Sequence, residues 1–147
     1  MAKVKQLTIS LENQPGRLAA VAQALADAKV NIVAFLGSTA GRRGSVQVVV
    51  DNIQMARKAL VRAQFPFAEG TLEQAELPNK PGALAEFAAT LAKKGMNIDA
   101  AYGSVSKGAK KSVLYFATSK RDAQAVADEF GVIEFIGVAV GTRHQNA

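Results

Sequence analysis

Hydrophobic spacing along the chain switches between two periods, and each switch marks a change of element. Leu7, Ile9 and Leu11 alternate with Gln6, Thr8 and Ser10, as in a strand that buries one face. Past Pro15-Gly16, the residues Leu18, Val21, Ala22 and Leu25 follow the i, i+3, i+4, i+7 spacing of an amphipathic helix. Ile32 to Leu36 reads as a second strand, Gly41 to Gly44 as a turn, and Val46, Val48 and Val50 as one face of a third strand. Ala56, Ala59, Leu60 and Ala63 outline a second helix, and Phe65 to Glu69 a closing strand. The order is βαββαβ.

That order then repeats. Pro15-Gly16 recurs as Pro81-Gly82, and residues 13 to 38 share 13 identities in 26 positions with the segment displaced by 66. The matches fall on glycine, proline, asparagine and core-type positions, which identifies a duplication. Leu84, Phe87, Ala88 and Leu91 repeat the apolar face of the first helix. Farther on, a displacement of 67 pairs Val46 with Val113, Val48 with Tyr115, Ala56 with Ala123, Leu60 with Ala127 and Ala63 with Phe130, implying one residue inserted near the turn. Ala123, Val126, Ala127 and Phe130 outline the last helix, and Glu134 to Thr142 the last strand. Phe65 to Glu69 and Thr71 to Leu77 are expected to run together, bent or bulged around Gly70, giving a first unit at 1–70 and a second at 71–147. No Ser/Pro-rich linker separates them, so the copies are held close. Domains of roughly 60 residues bury only about 60% of their unfolded surface, and packing the copies together offsets that weakness.

Composition narrows the function. Hydrophobic residues make up 49% and charged residues 20%, proportions of a chain that builds a core. The longest apolar runs fall far short of the roughly 20 residues needed to span a bilayer. No apolar stretch near Met1 resembles a signal peptide, so a cytoplasmic location is expected. The absence of cysteine excludes thiolate metal sites, iron–sulfur clusters and a cysteine nucleophile. His144, the single histidine, lies outside every periodic segment, where a general base has no fixed geometry. No carboxylate pair, Ser/His/Asp set or metal-spaced cluster recurs between the copies; Asp51 and Asp99 stand alone near strand ends and read as turn formers. The expectation is a protein that is not an enzyme, with no catalytic residue, cofactor or metal.

The net charge of +6 permits attraction to anions. Arg42 and Arg43 in one hairpin, with Lys107, Lys110 and Lys111 in the other, read either as solvated tips or as a docking point for an acidic or phosphate-bearing partner. An RNA-recognition motif shares the βαββαβ order, but Arg43-Gly44-Ser45-Val46-Gln47-Val48 puts serine and glutamine where stacking aromatics belong, and the second copy has Ser112 and Leu114. RNA binding is therefore the weaker alternative.

The chemistry concentrates in two loops. Asn13-Gln14-Pro15-Gly16-Arg17-Leu18 joins a strand to a helix, and Asn79-Lys80-Pro81-Gly82-Ala83-Leu84 does so again. Proline fixes φ, glycine lets a backbone be approached, and helix-start N–H groups are free to bind a carboxylate. A purely structural role is the alternative, with Pro-Gly starting the helix and asparagine capping the turn. After each helix comes Asn31-Ile32 or Asn97-Ile98, an asparagine leading into a strand, readable alone as a turn residue bonded to nearby backbone.

Strand, asparagine, Pro-Gly, amphipathic helix and Asn-Ile strand together resemble the ACT domain, an amino-acid-binding regulatory module, over essentially the whole chain in two copies. The resemblance implies an α+β fold of two tandem ferredoxin-like units packed side by side through Ile32 to Leu36 and Ile98 to Tyr102. It implies an eight-stranded antiparallel sheet with four helices on one face. It also implies an effector at the interface between the repeats. One site would combine Asn13, Gln14, Pro15, Gly16, Arg17 and Leu18 with Asn97 and Ile98. The other would combine Asn79, Lys80, Pro81, Gly82, Ala83 and Leu84 with Asn31 and Ile32. The commonest form of the motif has an acidic residue before Pro-Gly, where Gln14 and Lys80 stand, and some members have histidine where Leu11 and Leu77 stand. Arg17 opposite Ala83 makes the two sites unequal.

The function this implies is an amino-acid sensor without catalysis, or a regulatory subunit of a separately encoded metabolic enzyme. Val49, Leu114 and Phe116 are expected on the sheet face away from the helices, where they would need cover, so a homodimer or larger assembly is predicted.

Overall fold

The structure, a computed structural model, describes residues 2–120. The expected last helix, the last strand and His144 lie outside the described residues. The elements are β1 (Ala2–Glu12), α1 (Arg17–Asp27), β2 (Ile32–Ala40), β3 (Arg43–Val50), α2 (Ile53–Arg62), β4 (Phe67–Pro78), α3 (Ala83–Lys93), β5 (Met96–Ser104) and β6 (Lys111–Lys120). Every element read from the periodicity within this span is present. The strands form one six-stranded antiparallel sheet in the order β2-β3-β1-β4-β6-β5.

The closing strand of the first copy and the opening strand of the second run together as expected, but the copies meet differently from the expectation. β4 is one unbroken strand: Phe67 to Gln74 pairs with β1 in continuous register, through Gly70 and without a bulge, and Glu73 to Pro78 pairs with β6. The closing strand of the first copy is thus also the opening strand of the second. A backbone shared in this way fixes the copies through β1 and β4 and leaves β2 and β5 at the two outer edges of the described sheet. Ile32 to Leu36 and Ile98 to Tyr102 do not pair within the chain.

All three described helices cover the same face of the sheet. Leu7, Ile9, Val46 and Val48 pack with Val21 and Leu25 of α1 and Ala56 and Leu60 of α2, and Phe67 of β4 lies against this cluster. Ala75, Leu114 and Phe116 pack with Leu91 of α3, with Leu77 and Phe87 alongside. Phe67, Ala75 and Leu77 share one parity on β4, so both cores lie on one side. Phe116 is fully buried and meets Phe87 edge to face, with ring centroids 5.0 Å apart at 77°.

The ladder register corrects the alignment of the copies. Val48 pairs with Leu7 and Phe35, and Phe116 occupies the matching place beside Glu73 and Ala101. The displacement is therefore 68, and two residues are inserted in the second hairpin. A one-residue slip exchanges the two faces of a strand. Leu114 and Phe116 accordingly face the helices rather than the open side, while Val113 and Tyr115 lie with Val49 and Leu72 on the other side. That side curves enough for the Tyr102 hydroxyl of β5 to donate to Oε1 of the buried Gln6 of β1 at 3.0 Å, and the Tyr102 ring stacks on Tyr115.

Candidate functional site

The two strand-to-helix loops are built alike. Asn13 donates its backbone N–H to Arg42 O at 2.8 Å and its amide Nδ2 to Gly41 O at 2.8 Å, and so ties the loop to the tip of the β2–β3 hairpin. Asn79 repeats both bonds, to Lys110 O at 2.9 Å and to Ala109 O at 2.8 Å. Gly16 and Gly82 each adopt φ 88°, a left-handed conformation costly for a residue with a Cβ. No side chain caps either helix start. The first i→i−4 bonds run from Ala20 N–H to Gly16 O and from Glu86 N–H to Gly82 O, leaving earlier first-turn donors without helical partners. The Asn13 and Asn79 side chains thus anchor hairpins with their nitrogens, and Oδ1 is the acceptor left to each.

Asn31 and Asn97 serve their own strands. Asn31 N–H donates to Asp51 Oδ1 at 2.9 Å, and Asp51 N–H returns a bond to Asn31 O at 3.1 Å. Asn97 Nδ2 donates to Asp99 Oδ1 at 2.6 Å, and Ser119 Oγ donates to the same oxygen at 3.1 Å. The local carboxylate comes from the end of β3 in one copy and from within β5 in the other. Ile32 and Ile98 pack against the two cores.

The structure gathers part of the expected site and separates the rest. Asn13, Gln14, Arg17 and Leu18 line an open cleft of about 440 Å³ together with Leu11, Glu12, Phe35, Ser38, Thr39 and Val46. Pro15 and Gly16 are exposed beside it, with nothing within 4 Å of the place a Gly16 Cβ would take. Asn97 and Ile98 sit on β5, at the far edge from β2, so one chain does not bring them to Asn13. Asn79, Lys80, Pro81, Gly82 and Leu84 are exposed at the opposite end of the sheet, because β4 runs antiparallel to β1, and Ala83 is buried. Asn31 and Ile32, at the start of β2, are separated from them across the sheet by β3 and β1. The same geometry sends the basic hairpins to opposite ends, so Arg42 and Arg43 do not form one patch with Lys107, Lys110 and Lys111.

Phe35, Ser38 and Thr39 escaped the loop-centred reading. A bulge between Ile32 and Ala34 turns Phe35 to the helix side of the edge strand, where it is 62% exposed, and Leu18 beside it is 51% exposed. An aromatic residue in an edge strand was the available signal. Arg17 lays its guanidinium against Phe65, 5.2 Å from the ring centroid, and its buried Nε has no hydrogen-bond partner among the described residues. Buried unpaired donors are rare in folded proteins. No cluster of His, Cys, Asp and Glu able to hold a metal occurs among the described residues, and no described helix is long and apolar enough to cross a membrane.

A duplicated α+β unit whose matching strand-to-helix loops meet its hairpins defines a tandem small-module fold of the ferredoxin-like kind. The ACT domain family model matches residues 5–63 and again 71–135, and the chain belongs to that family. It is similar in structure to protein BT0572 from Bacteroides thetaiotaomicron, with 27% identity over 86% of this chain and 88% of that one, at a TM-score of 0.76. It also shares its fold with the ligand-free regulatory subunit of aspartate kinase from Thermus thermophilus, with 20% identity over 97% of this chain and 91% of that one, at a TM-score of 0.59. The corresponding subunit from Thermus flavus gives 20% identity over 98% and 94% of the two chains, at a TM-score of 0.53. No curated protein sequence matches the chain.

Proposed function

We propose that this protein is a non-catalytic, cytoplasmic amino-acid sensor whose effector enters the cleft at the mouth of the first copy and biases a regulated partner. The observation that carries the reading is the cleft itself, polar at the loop and apolar at Leu18 and Phe35, opening at a sheet edge with no partner strand among the described residues. Such a place suits an amino acid: a carboxylate meets donors, an ammonium meets the Asn13 carbonyl oxygen, and a side chain covers apolar surface. Membership of the ACT domain family supports the same class of ligand. A separately encoded enzyme is one form the partner takes, and the fold shared with the aspartate kinase regulatory subunits agrees with that form.

A second chain completes the site. Asn97 reaches Asn13 only if β5 of one chain lies beside β2 of another, so the cross-repeat site implied by the family resemblance becomes a site between protomers of a homodimer. Unpaired edges promote such an addition. The sheet face offers no comparable platform for RNA, because Tyr102 and Tyr115 stack on each other and Tyr115 is only 7% exposed.

A thermal-shift screen of the twenty amino acids tests the reading, since a ligand at 100 times its dissociation constant adds about 2.7 kcal/mol of stability. One amino acid, or a few related ones, should raise the melting temperature. No shift from any of the twenty at millimolar concentration would dismiss the proposal.

A further inference from the structure

The duplication supplies an internal control, because the two loops share a backbone and differ in side chains. Arg17 corresponds to Ala83, and Phe35 to Ala101. The space differs too. A Cβ on Gly37, in the wall of the first cleft, would meet nothing within 4 Å, whereas one on Gly103, its counterpart, would lie 2.8 Å from Val113 O and 3.3 Å from Leu114 Cα. At this one position the first copy is open and the second is closed by its own β6.

Building on the amino-acid reading, we infer that the chain carries one effector site, in its first copy, and that Arg17 selects an amino acid with an apolar side chain there. Arg17 lines the cleft, its guanidinium lies against Phe65, and its buried Nε has no hydrogen-bond partner among the described residues. A carboxylate is the ligand group that fits this guanidinium, because the two match as a planar, charge-assisted pair. With the carboxylate held at Arg17, the rest of the ligand lies along Leu11, Leu18, Phe35 and Val46, and Glu12 of the same lining is the carboxylate available to its ammonium. Leu18 and Phe35 are the wall residues that most need cover. Among its described residues the second copy retains the exposed Leu84 and Lys80, but Ala83 stands for Arg17, Ala101 for Phe35, and a Cβ at Gly103 would meet β6.

Isothermal titration calorimetry on the full chain tests this with L-valine, L-leucine, L-isoleucine, L-methionine and L-phenylalanine as probes, after all twenty amino acids have been ranked by thermal shift. The best of the five should bind once per chain, and its alcohol analogue, which lacks the carboxylate, should not compete. Arg17→Met keeps an apolar stem over Phe65 and removes the charge, so affinity should fall roughly ten- to hundred-fold, with partial recovery in Arg17→Lys. Phe35→Ala, at a largely exposed position that folding does not need, should weaken binding several-fold and serves if Arg17→Met misfolds. Two ligands per chain, or unchanged affinity in both Arg17→Met and Phe35→Ala, would overturn the inference. Binding of only polar or charged amino acids would overturn the ligand class while leaving the sensor reading intact; no binding of any amino acid would remove both.

Discussion

The hydrogen bond from Tyr102 to Gln6 spans the two copies, and Tyr102→Phe removes it while keeping the ring stacked on Tyr115. Gln6 is only 9% exposed, so its Oε1 would lose its partner in a place water barely reaches. A neutral hydrogen bond contributes about 0.5–1.5 kcal/mol net, and a buried acceptor left unpaired costs about 1–3 kcal/mol. The expected loss at neutral pH is therefore about 1–3 kcal/mol. Alkaline pH provides a second readout. Burial, and less so Tyr115, push the Tyr102 hydroxyl up from its ordinary 10.0 to about 12. The folded state thus holds this proton more tightly than the unfolded state. The corresponding stability is fully present below about pH 10 and is lost as pH rises through about 12. Tyr102→Phe has no such proton to lose, so the gap between variant and wild type should narrow across that window. Urea unfolding followed by circular dichroism at several pH values from neutrality to the alkaline limit measures both effects. Gln6→Leu in the Tyr102→Phe background should recover much of the loss, because both polar partners are then gone. A variant as stable as wild type at neutral pH, or a gap that stays constant up to about pH 12, would refute the account.

Other consequences follow from packing and backbone geometry. Phe116→Ala should destabilise by about 3–5 kcal/mol, and a double-mutant cycle with Phe87→Ala should show a coupling of about 0.5–1.5 kcal/mol from the edge-to-face pair, both read by urea denaturation. Lys29 sits at φ 58° after α1, where the second copy has Gly95 at φ 70°; Lys29→Gly should stabilise by up to about 1 kcal/mol, whereas Lys29→Val should destabilise, as thermal midpoints will show. Asn79→Ala should cost about 0.5–1.5 kcal/mol and speed amide exchange in the Ser104 to Lys111 hairpin, without touching the cleft of the first copy.

How far the sequence could be read depended on which physical constraint each position obeys. Alternation in β1 and the helical spacing of α1 and α3 are local, and they located the elements correctly. Two errors came from longer range. Placing one inserted residue in the second hairpin instead of two reversed the faces of β6, since the run Val113-Leu114-Tyr115-Phe116 is apolar on both sides and carries no alternation to fix its parity. Pairing the copies through their second strands failed because Phe65 to Leu77 contains no turn: an uninterrupted strand that ladders with β1 and then with β6 already determines how the copies meet. Strand partnership is a property of the whole sheet, and hydrophobic spacing records only which face each residue shows.

The site illustrates a subtler limit. The identities that exposed the duplication, Asn13 with Asn79 and Gly16 with Gly82, coincide with positions the backbone demands. Each asparagine pins a hairpin tip, and each glycine sits at φ 88°. A module that has lost its ligand must still keep both to fold. Shared residues therefore mark what the two copies need for structure, and a binding difference has to be sought where they diverge. Arg17 against Ala83 and Phe35 against Ala101 are such positions, and the open space above Gly37 against the filled space above Gly103 agrees with them. In a duplicated chain the strongest internal match is thus weak evidence for a pair of working sites, and a mismatch beside it is the more informative signal.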